Sequence, residues 1–133
     1  MEVKNKFKTE SKASLWGMDK NTFLTLMHLS QFAGYIVTGF GFILPIIMWV
    51  FNSRDEDVNR HGKNILNFML SVCIYIASAV ILLMQIDVMA TIYIVVLAAG
   101  FAFVIHFVII IIMAVKANRG KSSGYPFAIP FFR

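Results

Sequence analysis

Three long stretches of this 133-residue chain contain no charged side chain. They cover residues 23–51, 65–86 and 88–115, and together they hold 79 residues. A run of about 18 or more apolar residues without charge is long enough to cross a hydrocarbon core about 30 Å thick. A chain this short has too little polar surface to cover three such runs in water, which excludes a soluble domain. The sequence therefore predicts a polytopic, all-α integral membrane protein.

Catalytic and metal-binding patterns are also missing. The charge-free stretches hold no carboxylate pair for acid–base catalysis, and the chain has no nucleophile elbow, zinc-protease motif or phosphate-binding glycine loop. We therefore expect no enzyme activity. His28, His61 and His106 each stand alone on their segment, whereas zinc needs three or four convergent ligands, so we expect no metal and no cofactor. The single cysteine, Cys73, excludes an intramolecular disulfide.

The charged residues divide the chain into three parts. Residues 1–22 are a basic tail in which Trp16 fits an aromatic anchor at the headgroup level. Residues 23–117 form the transmembrane helical domain. Residues 118–133 contain two prolines among aromatic residues, which predicts a non-helical segment along the membrane interface. Because the basic residues flank the spans, the net charge of +5 indicates contact with anionic lipid headgroups and not with nucleic acid.

The first stretch has two interpretations. Gly34, Gly39, Gly41 and Pro45 interrupt it, so it is either one long kinked helix or a hairpin of two short helices, about residues 23–37 and 42–51. Three simple crossings would divide the lysines and arginines five against seven between the two sides, whereas a hairpin places all twelve on one side. The positive-inside rule favours the hairpin, with both termini in the cytoplasm.

The second and third stretches are separated only by residues 85–87. A turn this short predicts two long antiparallel transmembrane helices that form a tight pair. With the short hairpin, the fold has four helical segments.

A row of polar side chains follows the second helix at helical spacing: Asn64, Asn67, Ser71, Tyr75 and Ser78, with Gln85 seven residues further on. We call it the polar row. Amides are costly in hydrocarbon unless they are bonded, so the row should face other helices, or else a polar path or groove. His106 should bond to it, a proton relay being the alternative. The candidate interaction residues are His28, Arg60, His61, Lys63, Asn64, Asn67, Ser71, Tyr75, His106 and Asn118.

Several short motifs carry a family resemblance. They are His28-Leu29-Ser30, Gly34, Gly41, the run Pro45-Ile-Ile-Met-Trp49, the run from Arg60 to Phe68 (Arg-His-Gly-Lys-x2-Leu-Asn-Phe), and the ending Ala114-x2-Ala117-Asn118-x-Gly120 followed by Tyr125-Pro126. The chain resembles a widespread bacterial family of small membrane proteins of unknown function. That family is related to the channel-like component of the protein-import translocon in the chloroplast inner envelope. The resemblance implies four helical segments with both termini on one side.

These observations predict a small non-enzymatic protein of the bacterial inner membrane. We expect a subunit or accessory factor of a transport or translocation assembly, which contacts anionic headgroups and other membrane proteins or further copies of itself. A self-assembling, holin-like pore is the alternative.

Overall fold

The computed structural model describes residues 15–37, 39–122 and 124–133, and this part of the chain is helical without a named strand. The predictions for the basic tail at residues 1–14 lie outside it. The helices are α1 (Lys20–Leu29), which continues through a 3₁₀ turn (Ser30–Phe32) into α2 (Ala33–Ile36), then α3 (Phe40–Asn52), α4 (Glu56–Leu83) and α5 (Val88–Asn118). Counting the first three pieces as one arm, these are the four predicted segments.

The first stretch folds as the predicted hairpin and not as one kinked helix. Its bend lies where Val37 is extended and Gly39 adopts a φ of 96°, a conformation that glycine reaches without strain. Its first arm begins at Lys20, earlier than expected, because the Asp19 carboxylate caps the helix and accepts from the backbone N–H of Thr22. Pro45 does not break the second arm but lies buried inside α3.

Two glycines let the hairpin arms touch. A Cβ atom added at Gly41 would lie 2.7 Å from the carbonyl oxygen of Gln31 and 3.0 Å from the Cα of Gly34. Both neighbours are backbone atoms, which cannot move aside as a side chain can. The arms therefore pack at a distance that only glycine permits.

The long helices run antiparallel, but within the described residues they contact each other at only a few points, so the expected tight pair does not form. The Thr91 hydroxyl donates to the carbonyl of Leu83 near the turn, and the Phe68 and His106 rings stack, with centroids 5.5 Å apart, fifteen residues further along each helix. At about 1.5 Å per residue, the 28 residues of α4 and the 31 residues of α5 are each over 40 Å long, enough to cross a bilayer.

Burial divides this pair into two halves. The packed half, residues 56–72 of α4 and 106–118 of α5, lies against the hairpin and holds all the buried residues of the two helices. The exposed half, residues 73–83 and 88–105, contains no buried residue. Its surface is mainly apolar, as in Leu97, whose side chain is 74% exposed.

The segment after α5 is non-helical, as its prolines predict. Residues 125–133, which we call the strap, run beside residues 67–75 of α4. Tyr125 enters the core, where its ring stacks on Phe68 with centroids 4.4 Å apart. Trp16, at the other end of the described chain, is 55% exposed and packs edge-on against Phe23.

Candidate functional site

The polar row binds the backbone of the strap. The Asn67 amide makes two hydrogen bonds to Phe132: its Nδ2 donates to the carbonyl at 2.9 Å, and its Oδ1 accepts from the N–H at 2.8 Å. Ser71 Oγ accepts from the N–H of Ile129 at 2.7 Å, and the Tyr75 hydroxyl donates to the carbonyl of Phe127 at 2.7 Å. The strap therefore runs antiparallel to α4.

The observed partner of the polar row differs from the one expected from the sequence. Asn67, Ser71 and Tyr75 face an extended segment and not a neighbouring helix. An extended backbone cannot satisfy its own N–H and C=O groups, and unsatisfied groups are costly where water is excluded. The row supplies those missing partners from side chains of α4.

A second polar cluster lies in the core, where α1, α4 and the strap meet. Its members are His28, Gln31, His61 and Tyr125, all at most 5% exposed. The Nε2 of His28 lies 2.8 Å from the Nδ1 of His61, and the Nδ1 of His28 lies 2.5 Å from the hydroxyl of Tyr125. Gln31 Nε2 donates both to the backbone carbonyl of His28 and to the Tyr125 hydroxyl.

The directions of these bonds follow from the donors. Gln31 presents its NH₂ to the Tyr125 oxygen, so the Tyr125 O–H is left to donate to the Nδ1 of His28. A neutral His28 then carries its proton on Nε2 and donates to the Nδ1 of His61. The chain of bonds runs from Gln31 through Tyr125 and His28 to His61. We call these four residues the histidine chain.

His106 does not bond to the polar row, so the prediction made for it from the sequence is wrong. Its Nδ1 lies 2.5 Å from the hydroxyl of Tyr35, in the first hairpin arm. The reason is the rotation of α5, which places His106 towards that arm, with Phe68 stacked on the other side of the imidazole. His28 and His61 meet each other, but His106 stays apart from them.

Charged residues gather at the end of the packed half where α4 begins. Lys20 Nζ lies 2.8 Å from an Asp55 carboxylate oxygen and 3.1 Å from one of Asp57, while Arg60 pairs with Asp57 at 2.5 Å. Burial opposes ionisation of Asp55, but hydrogen bonds from Lys20 and from the backbone N–H of Val58 outweigh it. The pKa of Asp55 is therefore below its ordinary value.

An open groove of about 230 Å³ lies beside this charged end. Lys63 closes one side by donating to the carbonyl of Arg133 at 2.8 Å. The lining residues are Glu56, Asn59, Arg60, Lys63, Asn64, Phe132 and Arg133. Asn118 is at the last position of α5 and is exposed.

Within the described residues, no three His, Cys, Asp or Glu side chains converge in a way that could hold a metal ion. The histidine chain brings two imidazoles together, and its other two members are a phenol and an amide.

Comparison with known proteins identifies a family that matches this chain. The model of the magnetosome magnetite crystal formation protein family matches residues 19–132, which is nearly the whole described chain. The chain belongs to that family. It is a family of magnetosome membrane proteins, so the chain is a membrane protein, in agreement with its two long apolar helices. Searches of curated proteins and of solved structures gave no match.

The family match confirms part of the resemblance seen in the sequence. The chain does belong to a bacterial family of small membrane proteins, but that family is the magnetosome one. The match carries no link to the chloroplast translocon, and that relation stays a prediction.

Sequence reasoning missed three features of this magnetosome family member. They are the pairing of His28 with His61, the entry of Tyr125 into the core, and the ion pair of Lys20 with Asp55. Gln31 was a usable signal, because a lone amide in an apolar stretch has to find a buried partner.

Proposed function

We propose that this chain is a non-enzymatic integral protein of the magnetosome membrane that supports magnetite crystal formation as a subunit of a membrane assembly. It would act through contacts between helices and would not offer a surface on which mineral grows. The family match supports the process. The division of the long helices into a packed half and an exposed half supports action through contacts between helices.

The observation that carries the proposal is the turn between α4 and α5. Asp87 is the one carboxylate in residues 65–115, and it serves as the N-cap of α5 by accepting from the backbone N–H groups of Met89 and Ala90. A surface that binds hard metal cations needs several carboxylate or other oxygen ligands. A single carboxylate that already caps a helix supplies too few oxygen ligands to bind the cations of a growing mineral.

The charge distribution supports an orientation. Outside the charge-free stretches, lysine and arginine flank the ends of the helices at the packed half, for example Arg60, Lys63, Lys116 and Arg119. By the positive-inside rule this end faces the cytoplasm, where its cations contact anionic headgroups. The turn at Asp87 then faces the interior of the magnetosome.

The exposed half supplies the surface for assembly. It has room for another apolar helix along α5, because a Cβ atom added at Gly100 would meet no neighbouring atom within 4 Å. Lipid, a further copy or another membrane protein could cover this surface. In its more specific form, the proposal makes the chain part of a transport or translocation assembly. The alternative is a self-assembling pore, which would leak a dye from liposomes.

Complementation in a magnetite-forming bacterium tests the proposal. Asp87→Asn removes the carboxylate but keeps a good N-cap, so it should restore normal crystals to a deletion strain. Gly100→Leu adds bulk on the exposed half, and we expect it to insert in the membrane yet fail to restore crystal size. Crystal size is measured by electron microscopy, and membrane insertion by fractionation. Loss of crystals with Asp87→Asn, together with normal crystals with Gly100→Leu, would instead indicate a mineral-binding turn.

Thiol labelling tests the orientation separately. In a Cys73→Ser background, Ser53→Cys and Lys121→Cys should both label from the cytoplasm, and Asp87→Cys only after the magnetosome membrane is opened. Labelling of Ser53→Cys and Lys121→Cys from opposite sides would contradict the hairpin.

A further inference from the structure

The hairpin accompanies α5 over only about half of its length. Near the hairpin tip, the Tyr35 hydroxyl lies 2.5 Å from the Nδ1 of His106, and the Tyr35 and Phe103 rings have centroids 4.7 Å apart. The first arm ends one residue later, at Ile36. Residues 88–102 of α5 continue past this level for about 22 Å. None of them is buried in the described structure, so this part of α5 extends beyond the hairpin.

The hairpin tip lies at the middle of the membrane. The charge-free run of α5 is bounded by Asp87 at one end and by Lys116 at the other, so its middle is near residue 101. Phe103, which is level with the tip, is within one helical turn of that position. The tip itself is apolar, and Ile36 is 86% exposed. An apolar side chain that faces outward belongs in hydrocarbon, so the hairpin enters one leaflet and turns back there.

The strap stops at the same depth on α4. Its bonds to that helix extend from Lys63, which donates to the carbonyl of Arg133, to Tyr75, which donates to the carbonyl of Phe127. The charged residues that flank this span are Lys63 and Asp87, and the position midway between them is 75. The strap therefore adds width in the same leaflet as the hairpin.

The described fold is about twice as wide in one leaflet as in the other. Both hairpin arms, α4 and α5 lie in the leaflet of the packed half, whereas only α4 and α5 continue through the other leaflet. Because a helix with its side chains is about 10–12 Å across, the two arms add about 200 Å² of cross-section to one leaflet alone. Lipids beside such a body must tilt to follow its sides, which deforms a flat bilayer at a cost. A bilayer that already curves around the wide end relieves that deformation.

We propose that this chain is a one-leaflet wedge that concentrates in strongly curved bilayers, with the packed half in the convex leaflet. Its partner in this role is the lipid surface itself. The direction in the cell rests on the orientation given with the proposed function, in which the packed end faces the cytoplasm. The convex leaflet is then the outer leaflet of the magnetosome vesicle. The wedge is made by the hairpin and the strap, so it is separate from assembly through the exposed half.

Spin labels measure how deep the hairpin enters. In a Cys73→Ser background, a label at Ile36→Cys should report the same depth as a label at Phe101→Cys on α5. Depth is read from the ratio of collision with oxygen to collision with a water-soluble nickel chelate, with Ser53→Cys and Asp87→Cys marking the two interfaces. A label at Ile36→Cys that lies as deep as the one at Asp87→Cys would show that the hairpin crosses both leaflets, and would overturn the wedge.

Narrow tubes pulled from giant vesicles test the curvature preference of the full chain. The chain carries a dye at Lys121→Cys in a Cys73→Ser background, in vesicles of phosphatidylcholine and phosphatidylglycerol. An impermeant quencher outside identifies the molecules whose packed end faces outward. These should be several-fold denser in the tube than in the parent vesicle, whereas molecules that face inward should be depleted. Equal densities of the two orientations in the tube would contradict the proposal.

Vesicles of phosphatidylcholine alone separate the effect of shape from that of charge. Cations at the packed end would follow anionic lipid into the tube, but a wedge needs no anionic lipid. This assay needs neither mineral nor a partner protein, so its failure is distinct from a failure of complementation. The opposite sorting of the two orientations should persist in phosphatidylcholine, and sorting that vanishes there would assign the effect to charge and refute the wedge.

Discussion

The two halves of the long helix pair differ in how far their side chains are buried and in what contacts them. In the packed half, Ile110 and Met113 are at most 1% exposed, and polar groups such as Asn67 find partners in the chain itself. In the exposed half, Leu97 and Val96 are 74% and 66% exposed, and no residue is buried. The same two helices thus pass from a protein-packed environment to one that only lipid or a partner can cover.

This difference separates what folds the chain from what the chain offers to its surroundings. In lipid, apolar side chains gain little from packing against one another, so helix association depends on close contacts and polar bonds. The packed half has both, since it lies against the hairpin with its glycine contact and carries Asn67 and Ser71 of the polar row. The exposed half has few of them, among them the bonds of Thr91 to Leu83 and of Tyr75 to Phe127, which leaves most of its surface available for assembly.

The largest predicted contrast comes from two added methyl groups, one in the hairpin that packs against the packed half and one in the exposed half. Gly41→Ala forces a Cβ to within 2.7 Å of a backbone oxygen, so the hairpin arms must separate, at a cost of about 3 kcal/mol in the free energy of unfolding. Gly100→Ala meets no atom within 4 Å and should be neutral or stabilising by up to about 1 kcal/mol. Thermal unfolding in mild detergent measures both, and equal melting of the two variants would remove the distinction between the halves.

A smaller contrast concerns the polar row. Asn67→Leu leaves the N–H and the carbonyl of Phe132 unsatisfied, and we expect a loss of about 2 kcal/mol. Leu82→Ile, in the exposed half, should change stability by less than about 0.5 kcal/mol. If Asn67→Leu melts like the wild type, the strap is not held by the row.

The smallest effect is a pH dependence at the charged end. The pKa of Asp55 is lowered in the folded protein, so its ion pair stabilises the fold above the ordinary carboxyl pKa near 3.8, and that contribution is lost as the pH falls through the lower, folded value. Lys20→Met should reduce stability at pH 7 by under about 1 kcal/mol, because the pair is partly exposed. The difference between Lys20→Met and wild type should shrink as the pH falls below 3.8, and a difference that grows in acid would contradict this sign.

The number and order of the helices could be predicted from the sequence, because each charge-free run that marks a membrane span consists of consecutive residues. The turn at Asp87 and the hairpin bend at Gly39 both follow from neighbours in sequence or from the count of cations. The partner of each polar side chain is not a local property. His28 and His61 are 33 residues apart, and no spacing rule predicts that two rings on different helices will meet.

The polar row shows the same limit. Helical periodicity correctly placed Asn67 and Ser71 on one face of α4, but it could not say what covers that face. The prolines and aromatic residues of residues 118–133 predicted an extended segment, yet its position beside α4 depends on where α5 ends and the chain turns back. The hydrogen-bond partner predicted for His106 was wrong for a related reason, since that partner depends on how α5 is rotated against the hairpin.

Oxygen accessibility of spin labels along α5 tests the division between the halves most directly. With one chain in each lipid nanodisc, labels placed singly at residues 92–97 should be similarly accessible to oxygen all around the helix. Labels at residues 109–114 should instead vary with the helical period of about 3.6 residues, since one side lies against the core. The account predicts this change from uniform to periodic along one helix, and a 3.6-residue period at residues 92–97 in single-chain discs would contradict it.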